Sequence, residues 1–340
     1  MKYKQLGRSG LLVSDLALGT MIFGEAGTRG TSPEESERMI ARYLDAGGNH
    51  IDTANVYAGG HSEEIVGRAI KGCRDQVILA TKVRFATGTG RNDEGLSRHH
   101  IMRSVEASLR RLGTDYIDLY YLHGWDNLTP LDETLRVCDD LVTAGKVRYI
   151  GVSNFKAWQV MKALGISDSN RWVRFVAAQY QYSLVKRDIE YEFGDLCQSE
   201  GLGITAWGPL GGGLLSGKYR RGERPQSPEA GRLATADESW EEAWARRDTE
   251  RNWNTIDAIG RLAEVRGVTY AQVALAWLRA QPFVSSVLIG ARTLDQLEDN
   301  LGAADLELTA DEIAALDHVS ALPELYPYRV IQAATRRADS

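Results

Sequence analysis

Cysteine is scarce in this sequence: Cys73, Cys138 and Cys197 lie far apart, and no two of them share a CxxC spacing. They are read as reduced thiols of a cytoplasmic protein rather than as catalytic or metal-binding groups. Long apolar runs are missing too. No stretch reaches the roughly 18 residues a membrane-spanning helix requires, so no membrane association is expected. The opening segment MKYKQLGRSGLLVSDLALGT is broken by glycines and charges, unlike a signal peptide. Positive charge is in deficit: Lys+Arg 40 against Asp+Glu 46 gives a net −6 with the arginines scattered, which argues against nucleic acid as a partner. No strand-like run is followed by a GxGxxG turn, so the usual dinucleotide-binding signature is absent.

What the sequence does have is alternation. Short, β-branched apolar runs occur at 15–20, 50–54, 76–82, 116–123, 147–154, 175–183, 203–209 and 284–290. Helical patterns fill the gaps: 33–46, 62–71, 97–112, 131–144, 156–164, 187–200, 254–266 and 294–301, most of them closing on glycine. Ser32-Pro33-Glu34-Glu35 combines an N-cap, a proline at the first helical position and acidic first-turn residues. Ser62-Glu63-Glu64 reads as the start of the next helix. Eight βα units in strict order predict a (β/α)8 barrel, with a doubly wound open sheet as the competitor, because alternation alone cannot show closure. Three additions decorate the pattern: an N-terminal β-hairpin turning at Arg8-Ser9-Gly10, a long connection over 211–253 after the seventh strand, and an extra C-terminal helix near 309–319. No linker divides the chain, and residues 1–340 are read as one domain.

Active sites of such barrels lie at the C-terminal ends of the strands. Asp52 ends the second run, with Tyr57 in the loop after it; Lys82 ends the third and His123 the fourth. Taken singly, each has a structural reading: a turn cap, loop packing, a solvated strand-end lysine, a core histidine. Together they make a coherent group. Lys82 compensates the buried charge of Asp52, and its ammonium should lower the pKa of the Tyr57 phenol. His123 can hydrogen-bond an oxygen beside the Tyr57 hydroxyl, where negative charge develops as a carbonyl is reduced.

The segments "HIDTANVYAGGHSEEIVGRAI", "LATK", "YIDLYYLHGWD" and "GKVRYIGVSNF" resemble the signature segments of the aldo-keto reductases over about residues 3–319, most nearly in the style of the bacterial and potassium-channel β-subunit-like branch. The resemblance implies a barrel that binds a nicotinamide cofactor without a Rossmann fold and reduces aldehydes or ketones. It also implies a catalytic set of Asp52, Tyr57, Lys82 and His123: Tyr57 as general acid, Lys82 and Asp52 as the pair lowering its pKa, and His123 orienting the substrate carbonyl.

The resemblance extends to the cofactor. Ser153, Asn154 and Gln179 correspond to the positions that hold the nicotinamide carboxamide, which needs both a donor and an acceptor. Trp207 offers a flat face for the nicotinamide ring, against a structural reading as core tryptophan. Gly19, Thr20 and Met21, with Asp52, would lie beside that ring, Met21 standing where many members carry tryptophan. In WGPLGGGLLSGKY, Gly208, Pro209, Leu210, Gly212, Leu214, Ser216 and Lys218 look like the segment covering the pyrophosphate, with Arg232 a further contact. Ile289, Gly290, Arg292, Gln296, Asp299 and Asn300 look like the adenosine-phosphate segment. Gly290 stands where many members use lysine. Arg292 could also cap the helix starting near Thr293, though a cation there opposes the helix dipole. NADPH is the expected cofactor, with NADH a weaker alternative.

Other readings compete with these. A glycosidase needs two carboxylates across the mouth, and Asp126 is the one partner available to Asp52. His50 and Asp52 share a strand face, but no second histidine cluster completes a metal site; His99 and His100 fall at a loop or helix start. A non-enzymatic, cofactor-binding regulatory protein like the channel β-subunits is the main rival; His123 favours catalysis, because those subunits often have asparagine there. Trp240 and Trp244 share a helical face, to line the substrate pocket or to pack on the barrel. Tyr326 and Tyr328 could reach the mouth or a neighbouring subunit. The expected partner is a small carbonyl substrate of unspecified identity, and a homo-oligomer is left open.

Overall fold

Strand pairing follows the expected order and closes on itself. The computed structural model describes residues 1–334 apart from 26, 28, 29, 228, 229 and 240–242. A hairpin of β1 (Tyr3–Gln5) and β2 (Leu12–Ser14) precedes eight parallel strands. These are β3 (Leu16–Gly19), β4 (His50–Asp52), β5 (Ile78–Val83), β6 (Ile117–Leu122), β7 (Val147–Ser153), β8 (Phe175–Gln181), β9 (Gly203–Trp207) and β10 (Val284–Ile289). Closure is made by β10 against β3, with Leu288 opposite Ala17, and by β10 against β9. The barrel expectation holds and the open sheet is excluded.

Alternation of period two along each strand sorts the side chains. Ala80, Leu119, Tyr121 and Ala177 form a small apolar cluster with Leu6 and Val13, so the hairpin plugs the lower end of the barrel. Gly151 belongs to this interior for a steric reason: a Cβ there would lie 2.4 Å from the Tyr121 ring. The alternate positions, among them Leu18, Ile51, Leu79 and Val152, join helix residues such as Met39, Val66 and Ile101 in the outer core. Going two residues further along the inward face from Ala80, Ala177 and His50 reaches Lys82, Gln179 and Asp52. The same periodicity that builds the core therefore delivers polar groups to the mouth.

Local signals explain most helix ends. The Ser32 hydroxyl accepts the Glu35 N–H at 3.2 Å and opens the helix Pro33–Asp45. Gly113, at φ 61°, ends Arg98–Leu112. Ser62 departs from its expected capping role: the helix is His61–Ala69, capped by Gly60, and the Ser62 hydroxyl is buried against Thr20 and Thr53. The expected helix 187–200 is broken into a 3-10 turn, Asp188–Tyr191, and Phe193–Glu200. An additional helix, Tyr270–Ala280, escaped the pattern because eight of its eleven residues are buried and no polar stripe marks a period. Its one local sign is the reciprocal cap between Thr269 and Gln272. The C-terminal helix is Ala310–Val319, followed in the tail by Tyr328–Ala334. No helix among the described residues is long and apolar enough to cross a membrane.

Candidate active site

Three consecutive strand ends, of β4, β5 and β6, bring Asp52, Tyr57, Lys82 and His123 together. Asp52 and Lys82 are 2% and 0% exposed, and β4 and β5 are adjacent strands. The Lys82 ammonium donates to the Asp52 carboxylate, to the Thr53 carbonyl at 2.7 Å and to the Tyr57 hydroxyl at 3.2 Å. The second Asp52 oxygen accepts from Gln179 Nε2 at 2.7 Å. A lysine buried so completely keeps its proton here: burial would lower its pKa, but Asp52 and Tyr57 outweigh that and the net shift is upward.

Tyr57 is placed by a tight turn. Ala58 at φ 48° and Gly59 at φ 64° are both left-handed and fold the chain back into His61–Ala69. For alanine this conformation costs about 1–2 kcal/mol, which the surrounding packing must offset. The expected lowering of the Tyr57 pKa is not found. Burial raises it and Asp52 adds to the rise; Lys82 and Arg232 pull the other way without prevailing. The ion pair that the sequence suggested is present, but desolvation of the phenolate is the larger effect.

The His123 ring stands edge-on to Tyr57 at 6.0 Å between centroids and to Phe85 at 4.7 Å. Burial, then the charges of Lys82 and Arg84, hold its pKa well below the ordinary value, so it is a neutral imidazole. Its Nδ1 has no hydrogen-bond partner among the described residues. Phe85 and Arg84, in the loop directly after β5, went unremarked in the sequence; their position just beyond Lys82 was the available sign.

The residues expected around a nicotinamide form a linked set. Asn154, at φ 56°, donates to the Ser153 hydroxyl at 3.0 Å and to the His123 carbonyl at 2.9 Å. Ser153 donates in turn to the Gln179 carbonyl at 2.8 Å. Trp207 ends β9 half-buried, as are Gly19 and Met21, whereas Thr20 is buried with its hydroxyl on the Asp52 carbonyl at 3.0 Å. Beyond Gln179 on the same inward face, the Gln181 amide and the Ser183 hydroxyl are buried without hydrogen-bond partners among the described residues. Both were missed, although QYQYS places them at period two.

After β9 the chain turns through Gly208, Gly211, Gly212, Gly213 and Gly217, all at positive φ. Pro209 and Leu214 are buried, Leu210 and Ser216 half-buried, and the Ser216 hydroxyl closes onto the Gly213 carbonyl at 2.8 Å. A Cβ at Gly231 would meet Lys218 Nζ at 2.2 Å and one at Gly213 at 3.3 Å, so glycines cradle this ammonium. Burial and then the charge of Arg292 push the Lys218 pKa down. Arg232 opens the short helix Arg232–Thr235, and its charge is felt at Tyr57. Three cations from distant segments thus converge on the rim.

Around Arg292 the turn is internally braced. Its N–H donates to Gln296 Oε1 at 2.9 Å, Asn300 donates to the Gly290 carbonyl at 3.3 Å, and Asp299 accepts from Gln272. Thr293, not Arg292, caps the helix Leu294–Leu301. Ile289 is buried, and a would-be Cβ at Gly290 has nothing within 4 Å among the described residues.

Asp126 is a structural clasp: its carboxylate accepts from Leu96, Leu128 and Thr129. Trp244 is buried against Tyr219 and Trp253, while Trp240 lies outside the described residues. Tyr328 stacks on Tyr191 and bonds Glu192, and Tyr326 is 85% exposed.

The model of the Aldo/keto reductase family matches residues 15–321. The chain is 38% identical over 331 residues to the uncharacterized oxidoreductase YrpG of Bacillus subtilis, covering 94% of this chain and 96% of that one. It is 37% identical over 311 residues to a probable voltage-gated potassium channel subunit beta of Arabidopsis thaliana, covering 90% and 92%. A versiconal hemiacetal acetate reductase of Aspergillus parasiticus is 33% identical over 349 residues, covering 96% and 99%.

Proposed function

The chain belongs to the aldo/keto reductase family, and from that premise we propose that it reduces an aldehyde or ketone to the alcohol, with NADPH as hydride donor and Tyr57 as general acid. The observation that carries this reading is the buried Lys82 ammonium, bonded at once to Asp52 and to the Tyr57 hydroxyl, with the neutral His123 ring standing edge-on to that tyrosine.

The rim fits a nicotinamide dinucleotide. Lys218 and Arg292 are close enough to depress the lysine pKa, an arrangement that a pyrophosphate or ribose phosphate would relieve. Glycine backbones at 208, 211–213 and 217 can approach such a group closely. Lys218 and Arg232 would hold the pyrophosphate and Arg292 the adenosine 2′-phosphate, while Ser153, Asn154 and Gln179 take the carboxamide and Trp207 the ring. When bound, the cofactor supplies the hydride to the carbonyl carbon. NADH is the weaker alternative.

The protein's own groups supply the rest. The carbonyl oxygen sits between the Tyr57 hydroxyl and a His123 ring nitrogen, where both can donate to the negative charge that develops. Tyr57 passes its proton to that oxygen as the carbonyl becomes an alcohol. Lys82 then faces the phenolate, and its charge, itself held by Asp52, stabilises that anion until a proton returns. The raised Tyr57 pKa keeps the hydroxyl protonated at neutral pH, which suits reduction.

Carbonyl-dependent oxidation of NADPH by the purified protein tests the reading, with Tyr57→Phe as the diagnostic variant. Turnover should fall about 10²- to 10⁴-fold with NADPH binding retained. A protein that binds the cofactor yet turns over none of a broad panel of aldehydes and ketones would refute it and favour a regulatory role.

A further inference from the structure

A cavity of about 430 Å³ lies between the loop after β4, the loop after β5 and one face of the helix Arg98–Leu112. That volume falls within the roughly 300–1,000 Å³ of small-molecule sites. Most of its lining residues carry polar or charged side chains, set among the apolar surface of Met102, Ala107 and the side-chain stems. His100, Arg103, Ala107, Arg110 and Arg111 recur at helical spacing on the side that faces Asn55 and Thr87.

The charge balance can be followed group by group. Arg103 is paired with Asp93 at 3.2 Å and Arg111 with Glu63 at 2.7 Å. Glu106, also in the wall, is paired with Lys146. Arg110 has no ion pair among the described residues, so the cavity retains a net positive charge. His100 is buried with its Nε2 at 3.3 Å from the Ser104 hydroxyl.

Asn55 supplies the second observation. It is 3% exposed, lines the cavity, and neither its amide nitrogen nor its amide oxygen has a hydrogen-bond partner among the described residues. A buried amide with both ends unpaired is costly, and an occupant able both to accept and to donate removes that cost. We infer that this cavity is a second small-molecule site, taking a compact hydroxylated anion, a carboxylate or a phosphate ester, with Arg110 facing the charge and Asn55 bonding its oxygens. The site is separate from the proposed cofactor rim, whose cations are Lys218, Arg232 and Arg292. It backs onto the reacting groups through the main chain, since the Asn55 N–H donates to the Lys82 carbonyl at 3.4 Å.

The test is calorimetric titration of the full chain, saturated with NADP⁺ so that the rim is occupied, using citrate and glycerol 3-phosphate as probes. Saturable binding of one probe is expected, and which one binds distinguishes a carboxylate from a phosphate ligand. Arg110→Gln, an exposed change that leaves the core intact, should weaken it about tenfold or more, and Asn55→Ala should do likewise. Arg246→Gln, on an exposed arginine elsewhere, should leave it unchanged. Failure of both probes to bind, or equal affinity in wild type and Arg110→Gln, would overturn the assignment.

Discussion

Replacing Lys82 with methionine keeps the methylene packing of the side chain and deletes its ammonium. Asp52, 2% exposed, would then retain, among the described residues, only the Gln179 amide as a side-chain donor, and the Thr53 carbonyl and Tyr57 hydroxyl would lose the lysine. Removing one member of a buried ion pair costs about 3–5 kcal/mol, because the other is left charged and desolvated. With an unfolding entropy of about 2.1 cal/mol/K per residue over 340 residues, that corresponds to a fall in melting temperature of about 4–7 °C. Scanning calorimetry of wild type, Lys82→Met and the double variant Asp52→Asn/Lys82→Met measures it. The double variant should recover most of the loss, since a neutral amide can share the Gln179 contact without carrying a stranded charge, while both variants stay inactive. A Lys82→Met protein melting with wild type, or a double variant less stable than the single one, would refute the view that Lys82 chiefly neutralises Asp52.

Four further expectations follow from the same geometry. Because Tyr57 has its pKa raised by burial, single-turnover carbonyl reduction should stay level from neutral pH to beyond the ordinary tyrosine value of about 10 and decline only after that, while alcohol oxidation improves as phenolate forms; a decline centred near neutrality would contradict this. Arg292→Ala should weaken NADPH binding about 10- to 150-fold, the worth of a charge-assisted bond of about 1.5–3 kcal/mol, and leave NADH nearly unchanged. Gly290→Lys, where a Cβ meets nothing within 4 Å among the described residues, should tighten NADPH; fluorescence titration with both cofactors decides, and equal losses for both in Arg292→Ala would remove Arg292 from the phosphate site. His50, fully buried with its pKa pushed down to about 4, binds a proton more readily when unfolded, near pH 6.5. Its contribution is therefore complete above pH 6.5 and is lost as pH falls towards 4, by about 3 kcal/mol at most; urea midpoints over that range should drop in wild type and drop less in His50→Gln, and parallel curves would refute the assignment.

Much of this protein was legible in the chain. Strand and helix periods are local properties of neighbouring residues, so eight βα units, the N-terminal hairpin and the polar groups ending the inward faces could be read without coordinates. Asp52, Lys82 and His123 each follow an apolar run on the face that period two assigns to the barrel interior. Tyr57 was legible through the glycine turn after it. Helix Tyr270–Ala280 was not, because burial on all sides erases the amphipathic pattern on which such a reading depends.

Other properties depend on distant contacts. Closure rests on β3 pairing with β10, segments separated by most of the chain, and no local pattern specifies that meeting. The meeting of Lys218 and Arg292, like the reach of Arg232 to Tyr57, is likewise a product of the folded loops. The direction of the Tyr57 shift shows the division best. Its residue neighbours, a cation and an acid, could be named from the sequence, and the cation suggested a lowered pKa. Desolvation scales with everything packed around the hydroxyl, and that sum, which exists only once the barrel has closed, outweighs the single nearby charge.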